Sequence, residues 1–225
     1  MPSHGSAEII AVTQPTGKLG DVSVSEFVAY VARVSNPQNQ NNHLTADKLL
    51  QYLMKHRHWS PFEMITIVME INTTRDIARQ ILRHRSFSFQ EFSQRYANPV
   101  ESLGMVSREV RLQDANNRQS SIHTDDQDLH DAWEAKLLYL QSETTRVYDW
   151  AIQNGVAKEV ARSVLPEGLT LSRMYVSGTL RSWMHYCQVR VTNDTQEEHR
   201  LIARQAWGEI QQAITSLQHI TLWED

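Results

Sequence analysis

Residues 64–85 read MITIVMEINTTRDIARQILRHR, and the apolar period changes halfway through them. From Met64 to Ile71 the period is two: Ile65, Ile67, Met69 and Ile71 share one face and Thr66 and Glu70 the other, as in a half-buried strand. From Arg75 to about Arg85 it is helical, with Ile77, Ala78, Ile81 and Leu82 inward and Thr74 placed as the cap. A strand that feeds directly into a helix makes the fold class mixed.

Upstream, Glu8 to Val12 is short and apolar enough for a first strand, and Ser25 to Val34 puts Phe27, Val28, Val31 and Val34 on one helical stripe that Asn36-Pro37 ends. Thr45 is expected to cap a helix to about His56, broken by His58-Trp59-Ser60-Pro61. Downstream, the polar run Gln113 to Gln127 reads as an exposed loop. Helical periods follow over Leu129 to Gly155, Lys158 to Leu165, Leu169 to about Arg190, and Glu197 to about Leu217. The expected fold is α+β (α/β-like), a modest central sheet flanked by several long helices, with residues 1–225 as one domain and 113–127 as a loop within it.

Composition excludes several classes. Hydrophobic residues make up 40% and charged residues 21% of 225, with eight Gly and six Pro, which is the make-up of a globular chain. No apolar run approaches the roughly 18 residues of a membrane span, and the first residues lack a basic segment followed by an apolar one. The single cysteine, Cys187, excludes an internal disulfide, so a reducing, cytoplasmic location is expected. A net charge of −4 is wrong for a protein that coats nucleic acid, and no nucleic-acid or membrane partner is expected.

Basic residues are concentrated rather than abundant. Arginines number 17 against five lysines, and between Arg75 and Arg95 five arginines face two acids, a local charge of +3 before His84 is counted. Guanidinium suits bidentate binding of phosphate or carboxylate, so an anion belongs at this segment. A DNA-reading helix over Arg75 to Arg85 would need a helix and short turn before it, where a strand is expected instead.

Arg83-His84-Arg85, followed after seven residues by Ser93 and then Arg95, resembles the signature of the flavin-dependent thymidylate synthases. Ala32-Arg33-Val34-Ser35, Ser60-Pro61-Phe62-Glu63, Ala78-Arg79-Gln80, Glu91, Tyr96, Ala161-Arg162, Leu165-Pro166 and Arg181-Ser182 agree with it in the family's order, from about residue 30 to residue 200. The resemblance implies transfer of a one-carbon unit from methylenetetrahydrofolate to deoxyuridylate (dUMP), with FAD reduced by NADPH, in a homotetramer whose active sites lie at subunit interfaces. It implies flavin contacts at Ser35, Ser60, Glu63, Arg83, His84, Arg85, Arg181 and His185. It implies dUMP contacts at Gln80, Glu91, Ser93, Gln94, Arg95, Arg162 and Arg190, with Arg190 also the catalytic group. Two positions depart from the family's usual pattern, Thr179 where Asn is common and Asp194 where His is common.

The residues' own chemistry fits these roles. Arg95, the Ser93 hydroxyl and Arg162 can neutralise a phosphate, and Arg190 can stabilise charge that develops on a uracil carbonyl. On a helical wheel Ser177, Arg181, His185 and Gln188 share a polar face free of Lys and Glu, opposite Val176, Leu180, Trp183, Met184 and Cys187. Cys187 on that apolar stripe is expected to be an inert thiol rather than a nucleophile. His84 and His185 have no pairing that completes a metal site, and none is expected.

Overall fold

The computed structural model describes residues 5–223. In chain order its regular elements are β1 (Ser6–Val12), α1 (Val24–Ala32), α2 (Ala46–Lys55), β2 (Thr66–Thr74), α3 (Arg75–Ile81), β3 (Ser88–Glu91), α4 (Pro99–Ser102), β4 (Arg111–Gln113), β5 (Ser121–His123), α5 (Gln127–Gln153), α6 (Lys158–Ala161), β6 (Leu171–Thr179), α7 (Leu180–Arg190) and α8 (Glu197–Ala213). Four strands form one antiparallel sheet in the order β1-β2-β6-β3, and helices cover its apolar face, so the fold is α+β.

The sheet is organised by β2 and β6, which pair over nine residues from Thr66↔Thr179 to Thr74↔Leu171. Alternation sends Ile67, Met69 and Ile71 of β2, and Met174 and Val176 of β6, into the core, all fully buried. Each such side chain contributes about 1.5 to 3 kcal/mol by leaving water. Each strand runs straight into a helix through a threonine, Thr74 before α3 and Thr179 before α7, and because the strands are antiparallel the two helices start at opposite ends of the pair. Trp183 of α7 ties back to β2 by donating its indole N–H to the Ile67 carbonyl (3.2 Å).

The edge strand β1 presents N–H groups that the sheet leaves unpaired, and α8 supplies acceptors for them. Gln205 Oε1 takes the Ala7 N–H and Glu209 Oε2 the Ile9 N–H, both at 3.1 Å. A smaller cluster, Tyr148, Ala151, Ala161 and Leu165, holds the second half of α5 against α6.

Four expectations are corrected. The helix expected over Leu169 to Arg190 is two elements: Leu171–Thr179 is strand, and only Leu180–Arg190 is helix. A wheel fitted there because its buried positions recur at both periods; the pairing that makes it a strand lies about a hundred residues away, beyond any local pattern. The loop expected over Gln113 to Gln127 contains strand β5, paired with β4 through a turn in which the Asp114 carboxylate accepts the Asn116 and Asn117 N–H groups. Its length and polarity hid strands of three residues. Thr45 does not cap α2 with its side chain; its hydroxyl accepts from Arg33 Nη2 (2.7 Å) instead. Thr74 precedes α3 as expected, but its hydroxyl donates to Asp76 Oδ1 (2.6 Å) and accepts from Arg108 Nη2 (2.7 Å) rather than capping.

Candidate active site

The turn between α3 and β3 carries Arg83-His84-Arg85-Ser86, and an aromatic stack holds it. Phe87 lies against Trp183 (ring centres 4.5 Å apart) and Tyr186 (5.7 Å), over a point of β6 where no side chain intrudes. That point is Gly178: a methyl group there would sit 2.2 Å from the Phe87 ring. The glycine is therefore set by close approach, and it lets the turn fold down beside α7.

His84 is half-buried at this turn, and Arg190 at the end of α7 donates from Nε to its Nε2 at 2.8 Å. Burial, then the charge of Arg190 and that of His185, push His84 down to about 4, so the imidazole is neutral with its hydrogen on Nδ1. Beside this pair a cleft of about 360 Å³ is lined by Trp59, Glu63, Ser86, Arg181, His185 and Gln188, among others. Arg181 and Glu63 form an ion pair across it. The polar face of α7 thus lines the cleft through Arg181, His185 and Gln188; Ser177, expected with them, is on β6 and pairs with Ser88.

Other expected residues distribute over three places. Ser35, Ser60, Arg83 and Arg85 are exposed and are not among the cleft's lining residues, though Ser60 opens the single 3₁₀ turn that carries Glu63. Ser93, Gln94 and Arg95 form the turn after β3; Gln94 is buried with its side-chain nitrogen unpartnered, and exposed Arg95 lies 3.8 Å from Glu159 in a second cleft with Tyr96, Ala157 and Lys158. Arg162 opens the turn directly after α6, next to that cleft. Glu91 accepts from Ser172 Oγ (2.8 Å) and faces Arg75 (3.5 Å), and Gln80 bonds to Gln196 and His199.

The two departures have structural roles. Thr179 caps α7, its hydroxyl accepting the Ser182 N–H at 3.2 Å, so it sets the start of the helix that carries Arg181 and His185. Asp194 accepts from Asn117 Nδ2 (3.2 Å) and so faces the β4–β5 hairpin. Sequence reasoning passed over Trp59 and Ser86, whose neighbours Ser60 and Arg85 were its candidates, and over Tyr186 and His199, which are buried.

Arg75 and Arg79 of α3 are committed within the chain, Arg75 buried against Glu91 and Arg79 3.2 Å from Glu167. Cys187 is fully buried, and burial pushes its thiol well up. Among the described residues no group of three or more His, Cys, Asp or Glu could hold a metal ion, and no helix is long and apolar enough to cross a membrane.

The model of the thymidylate synthase complementing protein family matches residues 21–214. The chain belongs to that family. It is 45% identical over 194 residues to a probable flavin-dependent thymidylate synthase of Paramecium bursaria Chlorella virus 1, covering 86% of this chain and 88% of the relative. It is also 45% identical over 182 residues to the flavin-dependent thymidylate synthase of Synechocystis sp., covering 81% and 82%. The fold is similar to a crystal structure of the UMP/dUMP methylase PolB from Streptomyces cacaoi, with a TM-score of 0.79 at 22% identity over 98% of this chain and 97% of that one. For this family member the motif residues thus divide among the cleft along α7 (Glu63, Arg181 and His185), the turn after β3 (Ser93, Gln94 and Arg95) and the contact of Gln80 with α8, while Ser35, Ser60, Arg83 and Arg85 are exposed outside the cleft.

Proposed function

We propose that residues 1–225 form one flavin-dependent thymidylate synthase domain that methylates dUMP to thymidylate, with methylenetetrahydrofolate as carbon donor and NADPH-reduced FAD as reductant. The observation that carries this reading is the cleft beside the neutral His84–Arg190 pair, lined by a guanidinium, an imidazole, two serines and an indole. That donor set fits a flavin: Arg181 and His185 offer charge and hydrogen bonds to a diphosphate or ring oxygen, and Trp59 offers a flat apolar wall. Ser35, Ser60, Glu63, Arg83 and Arg85 would extend the same contact. When bound, the flavin supplies reducing equivalents as hydride.

The chain's own residues bind and orient the nucleotide. Arg95, Arg162 and the Ser93 hydroxyl hold the phosphate; Gln94, with its unpartnered buried nitrogen, and Glu91 line the same turn. Gln80 meets the edge of the pyrimidine. Arg190 stabilises negative charge that develops on a ring carbonyl, while burial and the charge of Arg190 keep the His84 imidazole neutral.

The phosphate cluster and the cleft along α7 share no lining residue within one chain. This separation supports a homotetramer in which two copies complete each site, and the single buried thiol supports a cytoplasmic location. The test is a division of labour. Arg95→Ala and Arg162→Ala should each weaken dUMP binding by about 1.5 to 3 kcal/mol with flavin absorbance retained, whereas Arg181→Ala should lose flavin. A parent protein that binds no FAD at micromolar concentration and forms no thymidylate refutes the proposal.

A further inference from the structure

A row of hydrogen bonds runs through the interior from Tyr186 to Glu198, and its direction is fixed from one end. Burial opposes the charge of Glu198, but the bond from Arg111 Nη2 (2.6 Å) and the charges of Arg108 and Arg111 outweigh it and hold the carboxyl below its usual range. An ionised carboxylate only accepts. The side-chain nitrogen of Gln196 therefore faces it, 3.0 Å from Oε2, which turns the Gln196 oxygen toward Gln80 Nε2 at 2.8 Å. Gln80 Oε1 is left for His199 Nδ1, 3.1 Å away, so Nδ1 carries the imidazole hydrogen. Nε2 of His199 is then the acceptor for the Tyr186 hydroxyl, also at 3.1 Å.

His199 is fully buried, and burial, with Arg190 and His84 close by, pushes it down to about 3, so it stays neutral. With Gln80 turned over, His199 could move its hydrogen to Nε2 and donate it to the Tyr186 oxygen, so the imidazole does not oppose the turn. At Gln196, which Glu198 holds in one orientation, the turned amide would set oxygen against oxygen and lose an interior hydrogen bond.

We infer that Gln196 is a positioning residue that decides pyrimidine specificity, because, anchored on Glu198, it locks the polarity of the Gln80 amide. Gln80 itself is half-buried and keeps one N–H and one oxygen lone pair for a ligand, in a single fixed order. Uracil presents a carbonyl oxygen beside an N3–H, an acceptor next to a donor, which that order can match. Cytosine presents an amino group beside a bare N3, the reverse order, and meets donor with donor and acceptor with acceptor. An amide free to turn over would accept either ring; the locked amide accepts one. Discrimination by an unpaired polar group is far stronger than by shape alone.

The inference rests on the reading that Gln80 touches the base, and the experiment separates the two. Dissociation constants for dUMP and dCMP are measured by calorimetry on FAD-loaded protein, for the parent, Gln80→Ala, Gln196→Leu, Glu198→Gln and Tyr186→Phe. Gln196→Leu should narrow the dCMP-to-dUMP ratio about tenfold with the flavin spectrum unchanged, while Tyr186→Phe, which leaves Gln196 and Glu198 in place, keeps the ratio within about twofold. A purely structural role would weaken both nucleotides together and leave the ratio where it was, which overturns the inference. Should Gln196→Leu not fold, Glu198→Gln is read in its place: a neutral amide no longer fixes the direction of Gln196 and the ratio narrows about threefold, and an unchanged ratio overturns it. Weak dUMP binding by Gln80→Ala beside an unchanged Gln196→Leu ratio defeats the lock alone. Parent-like dUMP affinity in Gln80→Ala defeats the placement of Gln80, and the lock with it.

Discussion

Arg190 and His84, 106 positions apart in the chain, meet in a single hydrogen bond at 2.8 Å that makes the imidazole an acceptor. A protonated His84 would have no lone pair to offer and would face a guanidinium, so binding that proton breaks the bond and sets two cations together. Arg190→Ala removes the cation and the donor but leaves the burial. The His84 pKa should rise from about 4, and two-dimensional NMR of the imidazole across a pH series would follow it. A titration that does not move upward shows that burial alone sets the value.

Stability should fall on mild acidification. His84 and His199 are held to about 4 and about 3 in the folded state, below the ordinary value of 6.5, so the unfolded chain binds their protons first. As pH drops from 6.5 toward 4, each such histidine removes at most about 1.4 kcal/mol per pH unit, and above 6.5 its contribution is fully present. Asp76 and Glu198, whose carboxyls lie below their usual range, add their loss only at lower pH. Urea melts at pH 7, 6 and 5 should show the decline, and His199→Leu should flatten it; equal slopes in both proteins would count against the assignment.

Gly178→Ala should be costly out of proportion to its size. The added methyl would stand 2.2 Å from a Phe87 ring that Trp183 and Tyr186 prevent from retreating. Overpacking of this kind costs about 1 to 3 kcal/mol. Because Phe87 anchors the His84 turn, flavin retention should fall with stability, and gel filtration with absorbance detection reads both.

Cys187→Ala should remain folded, losing about 1 to 2 kcal/mol to a small cavity, and keep most of its thymidylate formation. The thiol is buried in α7 and its ionisation is disfavoured. A well-folded variant slowed a thousandfold would mean that sulfur takes part in the reaction.

The legible part of this protein was its local part. Alternation over Ile65 to Ile71 and the helical stripe of Ile202, Ala206 and Ile210 in α8 are set by which side of an element meets the core, and the sequence states that directly; the apolar spacing of α5 misled, since Trp133, Leu140 and Trp150 are exposed and Thr144, Tyr148 and Ala151 are buried instead. Strand β6 was read as helix because its identity depends on a partner, β2, that no window around residue 175 contains. At the site, the Arg83-His84-Arg85 motif and the polar face of α7 were visible as excess basic and polar residues. That they converge was not, since the contact between His84 and Arg190 is a property of the sheet register. His199 escaped for a different reason: its neighbours Glu198 and Arg200 give no sign that its ring is buried with a partner at each nitrogen.

The register of β2 against β6 also fixes when the protein can become functional during synthesis. β2 emerges from the ribosome about a hundred residues before its partner, and until β6 arrives its central position is open on one side. The His84 turn has nothing to fold onto before then, because Gly178, Trp183 and Tyr186 all lie in β6 or α7. Arg190 arrives a few residues later and α8, which shields the β1 edge, last of all. The nascent chain thus carries an unfinished sheet for most of its synthesis, exposed to pairing with a neighbour on the same polysome, and gains both halves of its site in one late event. Expression yield should depend on translation speed and chaperone supply over the codons from β6 to α8 more than over those for β1 and β2.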